Sequence, residues 1–205
     1  MNTALGQFVP EYISQTPELH EYFLVAYIPQ EVNTQLKEEK ENFSSKYKVT
    51  IAKKTLPHIT VADFLAKEEM EETIIRYMRR IFSTHTSFWV TLNNYSGFPE
   101  HTVFARVQDH QPFKQLASSL KAVDQYVRSN GCPPINLITY PYLSIARRLQ
   151  QNVYEEAMLE YSQKIFYASF EARELVLLKR KDQFDACRQV NVFKLPPANC
   201  LFNRL

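Results

Sequence analysis

Apolar and polar positions change their spacing several times along the chain, from every second residue to every third or fourth. This change predicts strands and helices in alternation. The segment YFLVAYI at residues 22–28 is rich in aromatic and β-branched residues and predicts a buried strand, which ends at Pro29. Apolar residues at helical spacing then predict a helix over residues 30–44, with the charged run KEEKE at 37–41 facing water.

The same criteria apply to the rest of the chain. Further strands are predicted at residues 57–65, 86–95, 101–108, 140–147, 169–180 and 189–195. Further helices are predicted at residues 67–83, 111–129 and 151–165. The segment SGFPE at residues 96–100 is expected to be the loop of a hairpin. This order of elements is α+β, with two related halves.

Composition indicates an ordinary globular protein of 205 residues, so we expect a single domain over residues 1–205 with a polar N-terminal leader at residues 1–20. The leader contains no Lys or Arg, and no segment of the chain approaches the roughly 20 apolar residues of a membrane span. The three cysteines are scattered and odd in number, which is typical of reduced thiols. We therefore predict a cytoplasmic protein without membrane contact, and a monomer as its simplest state.

Charge and glycine content restrict the class of ligand. The net charge is +2, whereas proteins that hold long duplexes usually have a more basic surface. A small anion or a nucleic-acid end fits this balance better. The three glycines are too far apart for a P-loop or a G-x-G-x-x-G turn. Any bound phosphate must therefore be held by side chains, or by the backbone of an ordinary strand or helix.

Two short segments of the chain repeat one another. TLPHITVADFL at residues 55–65 aligns without a gap with TYPYLSIARRL at residues 139–149, and the two share threonine, proline, alanine and leucine at matching positions. Three further pairs are conservative: Ile with Leu, Thr with Ser, and Val with Ile. The informative difference is that His58 in the first copy corresponds to Tyr142 in the second.

The first copy predicts a strand with one polar face. Because side chains alternate along a strand, His58, Thr60 and Ala62 are expected to point one way. Ile59 and Val61 are expected to point into the core.

The second copy predicts the same arrangement, with Tyr142, Ser144 and Ala146 on its polar face. If the two halves pack about a pseudo-two-fold axis, both polar faces meet across a groove. An imidazole and two hydroxyls there can donate hydrogen bonds to phosphate oxygens. We therefore expect a bilobal, pseudo-symmetric α+β fold in which mainly antiparallel sheets line a central groove and helices lie outside.

These segments resemble the motifs of the two-histidine (2H) phosphoesterase superfamily, which includes the 2'-5' RNA ligases and 2',3'-cyclic phosphodiesterases. PHITVADF at residues 57–64 looks like the first H-x-T/S motif, and PYLSIARR at residues 141–148 lies where the second belongs. The opening strand YFLVAYIP, the GFP hairpin and the late strand ELVLLKR are similar as well, so the resemblance covers most of the chain.

The resemblance implies roles for four residues and no metal or other cofactor. Family members use one histidine as general base and the other as general acid, and the hydroxyl two residues after each histidine binds phosphate. In this sequence His58 becomes an acid–base group, and Thr60 and Ser144 become phosphate ligands. Tyr142 occupies the second acid–base position.

Tyrosine at position 142 alters the expected chemistry. A phenol titrates near pH 10 and an imidazole near pH 6.5, so a phenol is a poor general base at neutral pH. It can still donate a hydrogen bond or a proton to a departing ribose oxygen. Losing one acid–base partner lowers the rate by a factor of about 10²–10⁴. The prediction is a metal-independent phosphodiesterase or RNA-ligase-like enzyme, acting on 2',3'-cyclic or 2'-5' linkages of RNA ends or nucleotides, with His58 as the base and Tyr142 weakening turnover.

Two alternatives stay open. The chain could be a binding protein that keeps the groove for a nucleotide or RNA end and has lost turnover. It could also be a different hydrolase that uses the scaffold for another phosphate ester. The sequence offers no recognisable lysine site for nucleotidyl transfer, so any ligation would reverse cyclic-phosphate chemistry.

Basic residues near the second motif are candidate phosphate or RNA contacts. Arg148 is expected to share a face with Tyr142 if the strand continues that far, and Arg106 and Arg147 are further candidates. A solvated arginine at a strand end is an equally good interpretation of each.

Other histidines are weaker candidates. His101 begins the strand after GFPE and is the best substitute for the missing imidazole, although a solvated histidine is the commoner occupant of such a position. No two histidines stand at H-x-H or H-x₃-H spacing, which gives a zinc site little support.

Overall fold

The computed structural model describes residues 18–50, 57–99, 101–182 and 184–198. Of the predicted leader, residues 1–17 lie outside the described residues, whereas Leu19 and His20 already belong to the first strand. Cys132 is buried and Cys187 is exposed, and both are free thiols.

The first sheet has five strands, and every neighbouring pair in it is antiparallel. Its strands are β1 (Leu19–Tyr27), β2 (His58–Lys67), β5 (Asn136–Leu137), β8 (Glu174–Arg180) and β9 (Arg188–Lys194). They lie in the order β5-β2-β1-β8-β9. One face packs on the main hydrophobic core, which contains the fully buried side chains of Tyr22, Leu24 and Ala26.

The second sheet has four strands and is also antiparallel. Its strands are β3 (Phe88–Phe98), β4 (Thr102–Val107), β6 (Tyr142–Arg147) and β7 (Tyr167–Ala172). They lie in the order β6-β4-β3-β7. β3 and β4 pair directly, which confirms the predicted hairpin, but residues 96–98 of its predicted loop belong to β3.

Helices cover the sheets. They are α1 (Gln30–Tyr47), α2 (Glu71–Phe82), α3 (Gln111–Ser129) and α4 (Gln151–Tyr161), and a 3-10 turn at Glu68–Met70 precedes α2. Each helix buries one apolar stripe, as Phe113, Leu116 and Leu120 do in α3. Within the described ranges, no helix is long and apolar enough to cross a membrane.

The architecture confirms the predicted α+β fold with two related halves. Each sheet contains one copy of the repeated segment, β2 in the first sheet and β6 in the second. The two strands approach each other where the sheets meet. This placement brings the two motifs together although they are far apart in sequence.

Two local predictions are wrong, and one strand was missed. Residues 169–180 are two strands in different sheets, because the chain passes from β7 to β8 at Arg173. No Gly or Pro marks that crossing, so the pattern could not show it. The strand β5 was not predicted, since two residues are too few to show a period. The run at 37–41 does not simply face water: Glu39 accepts a hydrogen bond from Lys164 Nζ at 2.6 Å, and its side chain is 11% exposed.

Candidate functional site

The first motif strand contains a β-bulge. Thr60 pairs with Val25 of β1, but Ala62 pairs with the very next residue, Leu24, so β2 has one extra residue at this point. The bulge changes which side chains share a face. Asp63 pairs with Phe23, two residues from the partner of Thr60, and therefore lies on the same face as Thr60.

The second motif strand contains a bulge at the matching position. Ser144 pairs with Phe104 of β4, whereas Ala146 pairs with Val103. Arg147 pairs with Thr102 and therefore lies on the same face as Ser144.

These bulges overturn one prediction. Ala62 is fully buried and Ala146 is 2% exposed, and both belong to the hydrophobic core rather than to the polar faces. Unbroken alternation had placed them next to Thr60 and Ser144. Asp63 and Arg147 occupy those places instead.

A cleft of about 290 Å³ lies between the two motif strands. Thr60 and Asp63 of β2 line one side of it, and Tyr142 and Arg147 of β6 line the other. The remaining lining residues are Phe23, Asn136 and Ile138. The polar faces of the two repeats therefore meet in one cavity.

Two further predicted residues, His58 and Ser144, lie on the same strand faces as the residues that line the cleft. His58 is half-buried and pairs with Tyr27, which places it on the same face of β2 as Thr60. Ser144 is half-buried and shares its face of β6 with Tyr142.

Two predicted arginines, Arg106 and Arg148, are not among the residues that line the cleft. β6 ends at Arg147, and Arg148 is exposed with a left-handed backbone conformation (φ 57°), so it does not share the face of Tyr142 as expected. Arg147 takes that position. Arg106 pairs directly with Tyr142 across β4 and β6 and so shares its face, but it lies outside the cleft lining. It is exposed, and its Nε donates to the backbone carbonyl of Asn93 at 3.2 Å.

Tyr142 is held by its neighbours. Its ring centroid lies 5.0 Å from that of Phe98 and 5.0 Å from that of Phe104. The guanidinium of Arg147 lies 5.5 Å from the same ring, a cation–π contact. These contacts orient both the phenol and the arginine in the cleft.

The predicted GFP hairpin supplies one of these contacts. Phe98 follows Gly97 at the end of β3, and a Cβ at Gly97 would come within 2.5 Å of Tyr154 Oη on α4. Glycine therefore allows α4 to pack closely behind Phe98.

Charges in and near the cleft are unevenly distributed. Burial raises the pKa of Asp63, while a hydrogen bond from Asn136 and the positive charge of Arg147 act against this increase. Burial lowers the pKa of Lys40 on α1, and repulsion from Arg147 adds to the effect. The cleft thus has a positive side near Arg147 and a carboxylate on the opposite strand.

The other histidines have local partners. His101 is exposed; its Nδ1 lies 2.5 Å from Thr102 Oγ1, and its ring lies 6.2 Å from that of Phe98. His85 Nε2 lies 2.9 Å from Ser119 Oγ, and burial lowers its pKa. In the part of the chain that the structure describes, no group of three or more His, Cys, Asp or Glu side chains could hold a metal ion.

Sequence reasoning missed five residues in or near the cleft: Phe23, Lys40, Asp63, Asn136 and Ile138. Asp63 and Arg147 occupy matching positions in the two copies of the repeat, five residues after His58 and Tyr142. Their matching positions were the only hint in the sequence that both residues belong to the site. The bulges, which the sequence does not show, turn both side chains toward the cleft.

Comparison with known proteins now adds to the geometry. The sequence profile of the 2'-5' RNA ligase superfamily matches residues 29–183, which is more than half of the chain and contains both motif strands. The chain belongs to the 2'-5' RNA ligase superfamily. This result confirms the resemblance inferred from the motifs. No curated protein sequence matches the chain.

Two bacterial proteins of known structure have a similar fold. E. coli LigT, in a crystal structure complexed with 3'-AMP, matches with a TM-score of 0.61 and 17% identity, over 87% of this chain and 99% of that chain. The protein TT0787 of Thermus thermophilus matches with a TM-score of 0.56 and 15% identity, over 87% and 99% of the two chains. At these identities the likeness concerns the fold.

Proposed function

We propose that the protein is a phosphodiesterase that hydrolyses 2',3'-cyclic or 2'-5' linkages of RNA ends or small nucleotides without a metal, and that Tyr142 slows it. The observation that carries the proposal is the single cleft lined by Thr60, Tyr142 and Arg147, with His58 on the strand face of Thr60. Membership of the superfamily supports this assignment. So do the crystal structures with 3'-AMP, phosphate, ATP and NADP+ of E. coli LigT, a protein of the same fold.

The proposed reaction on a 2',3'-cyclic phosphate is an in-line attack by water. His58 takes a proton from the water molecule while the water oxygen forms a bond to phosphorus. The bond between phosphorus and one ribose oxygen breaks, and the phenol of Tyr142 gives its proton to that oxygen. The phenolate is reprotonated and His58 deprotonated through solvent. The net reaction consumes one water and leaves a phosphate monoester.

The positive side of the cleft supports the charge that develops on the phosphate oxygens. The hydroxyls of Thr60 and Ser144 donate to two of these oxygens in the proposal, and Arg147 supplies a fixed positive charge. The Tyr142 ring positions that arginine through their cation–π contact. Arg147 therefore replaces Arg148 in the proposed set of phosphate contacts, and Arg106, which is outside the cleft lining, is left for a longer RNA end.

The phenol limits the rate because its pKa in water is about 10, so it is a weaker proton donor at neutral pH than an imidazolium. A second function follows from the same residue. Tyr142 packs against Phe98 and Phe104, and this packing favours a protein that binds nucleotides without turning them over. In both cases we propose a cytoplasmic monomer whose partner is an RNA end or a small cyclic nucleotide.

Hydrolysis of 2',3'-cyclic nucleotides in the presence of EDTA tests the proposal. The wild type should convert the substrate, and His58→Ala should be at least about 100-fold slower because the general base is lost. His85→Ala is the matched control. The His85 imidazole is hydrogen-bonded to Ser119 outside the cleft lining, so its loss should leave the rate unchanged.

Three outcomes would contradict parts of this proposal. Equal rates for wild type and His58→Ala would exclude His58 as the base. Binding of cyclic nucleotides without conversion would instead support the binding protein, and a rate that EDTA abolishes would contradict the metal-independent reaction.

A further inference from the structure

The cleft continues past the proposed phosphate position along β2. Thr60 and Asp63 pair with Val25 and Phe23, which are two residues apart on β1, so Asp63 lies about 7 Å further along the strand direction. A neighbouring recess of about 440 Å³ shares Phe23, Asp63 and Asn136 with the cleft. A nucleotide whose phosphate lies at Thr60 has room to place its base near Asp63.

Asn136 is held in place beside Asp63. The two residues pair directly across β5 and β2. On one side of Asn136, the Ile135 N–H donates to Asp124 Oδ1 at 2.9 Å, and on the other the Ile138 N–H donates to the Val61 carbonyl at 3.0 Å. Two backbone hydrogen bonds thus fix the short strand that presents the amide.

The amide and the carboxylate form a defined hydrogen-bonding edge. Asn136 Nδ2 donates to Asp63 Oδ2 at 2.9 Å, as it must, because an ionised carboxylate only accepts. The second N–H of Asn136 remains available as a donor. The remaining lone pairs of both Asp63 oxygens are acceptors. The hydrogen-bonding groups along this edge are therefore one donor, from Asn136, followed by two acceptors, from Asp63.

Guanine has the complementary edge. Its O6 accepts, and the adjacent N1–H and N2–H₂ both donate, so a carboxylate can accept from the two nitrogens while the amide donates to O6. Adenine presents its ring N1, an acceptor, to the carboxylate. Cytosine presents one donor beside two acceptors, and uracil presents one donor between two acceptors.

We infer that the cleft selects guanine nucleotides, with Asp63 and Asn136 reading the base edge and Phe23 forming an apolar wall beside the base. This inference rests on the proposed function, because it takes the phosphate to lie at Thr60. Asp63 makes no other hydrogen bond within the described residues. Its acceptors are therefore available to a base.

Partial burial makes this edge selective. Asp63 is half-buried, and burial raises the pKa of its carboxyl group. A base that does not donate to the partly desolvated carboxylate leaves the cost of its lost hydration uncompensated. Such a mismatch lowers the affinity of the wrong base more than a missing apolar contact does. Arg147 and Asn136 favour the ionised form, which is the form that accepts from guanine.

Equilibrium binding tests the inference independently of turnover. Titration calorimetry would compare 3'-GMP, 3'-IMP, 3'-AMP and 3'-UMP with the wild-type protein. We expect 3'-GMP to bind about tenfold to a hundredfold more tightly than 3'-AMP and 3'-UMP. 3'-IMP should fall between them, because hypoxanthine keeps N1–H and O6 but lacks the N2 amino group.

Asp63→Asn supplies the matching variant. Asparagine preserves the shape but removes one acceptor, so the preference for 3'-GMP over 3'-AMP should fall to about threefold or less. Glu155→Gln is the control, because it removes one negative charge from α4 outside the cleft lining and should keep the preference.

The outcomes separate the two proposals. Equal affinities of the wild type for all four nucleotides, or a guanine preference that survives in Asp63→Asn, would overturn the inference and leave the proposed function standing. No binding of any nucleotide would overturn the proposed function and this inference with it. The wild-type comparison decides the matter even if Asp63→Asn folds poorly.

Discussion

Asp63 and Arg147 stand at the same position of the two repeated segments, and a bulge in each strand turns both side chains into one cleft. The positive charge of Arg147 acts to lower the pKa of Asp63, against the larger effect of burial, so the two groups interact electrostatically. One copy of the repeat thus contributes a cation suited to phosphate, and the other contributes a carboxylate suited to donor groups on a base. Divergence at this pair gives the cleft two chemically different ends.

Restoring histidine at position 142 should increase activity. Tyr142→His replaces a phenol with an imidazole, whose protonated form is a stronger general acid at neutral pH, so kcat/KM on 2',3'-cyclic nucleotides should rise by a factor of about 10²–10⁴. Steady-state kinetics measures this directly. The comparison variant is Tyr142→Phe, which keeps the ring contacts with Phe98 and Phe104 but loses the hydroxyl, and which should be slower than wild type. Unchanged rates in both variants would remove position 142 from the reaction.

Asp63 should reduce stability at neutral pH. Burial raises its pKa in the folded state above the unfolded value of about 3.9, so the folded state binds more protons between the two values. Stability is therefore lost as pH rises through that window, and the loss persists at pH 7. Asp63→Asn should be more stable than wild type at pH 7, by less than about 1 kcal/mol.

Urea unfolding at pH 7 and pH 4 checks this sign. The advantage of Asp63→Asn should shrink at pH 4, where the wild-type carboxyl group is more protonated. A wild type that is more stable than the variant at pH 7 would show that the hydrogen bond from Asn136 and the charge of Arg147 outweigh burial.

A buried ion pair lies at the other side of the first sheet. The side chain of Lys179 is 1% exposed, and its Nζ lies 2.7 Å from Glu68 and 2.6 Å from Glu71. Burial would lower the pKa of Lys179, but the hydrogen bonds and charges of both glutamates outweigh it and raise the pKa. Glu71→Gln should destabilise the protein by about 1–3 kcal/mol, because it leaves the buried ammonium with one largely exposed carboxylate.

Lys179→Met should be less harmful than Glu71→Gln, because it removes the desolvated charge and fills a similar volume. Lys181→Met is the control: the Lys181–Glu18 pair is 59% and 61% exposed, so the change should stay within about 0.5 kcal/mol. Denaturant midpoints would give the comparison. A Lys179→Met variant less stable than Glu71→Gln would mean that the ion pair, rather than the packing, stabilises this region.

The sequence was sufficient for the fold because its strands and helices have clear periods and its two motifs repeat each other. The motif residues His58, Thr60, Tyr142 and Ser144 lie on strands whose polar faces meet, which the alternation of side chains could predict. The helix over residues 111–129 has the predicted bounds, since its apolar stripe is regular and the segment NGCPP follows it.

The remaining features depend on pairing between strands, which has no local signal. A bulge is defined by the partner strand, so Val61 and Ile145 could not be recognised as extra residues from spacing alone. Asn136 reaches the cleft through a two-residue strand whose position depends on contacts with α3 and β2. Unbroken alternation predicts that Arg148 shares the face of Tyr142, but the bulge at Ile145 puts Arg147 on that face instead.

The bulges also affect how related chains should be compared. A relative of the same length whose motif strand had no bulge would present to the ligand the residue two positions after the motif Thr or Ser, instead of the residue three positions after it, and its H-x-T spacing would look unchanged. In this chain that shift would replace a carboxylate or a guanidinium with a methyl group. Loss of a bulge at unchanged chain length could therefore switch ligand preference while every motif residue stayed in place.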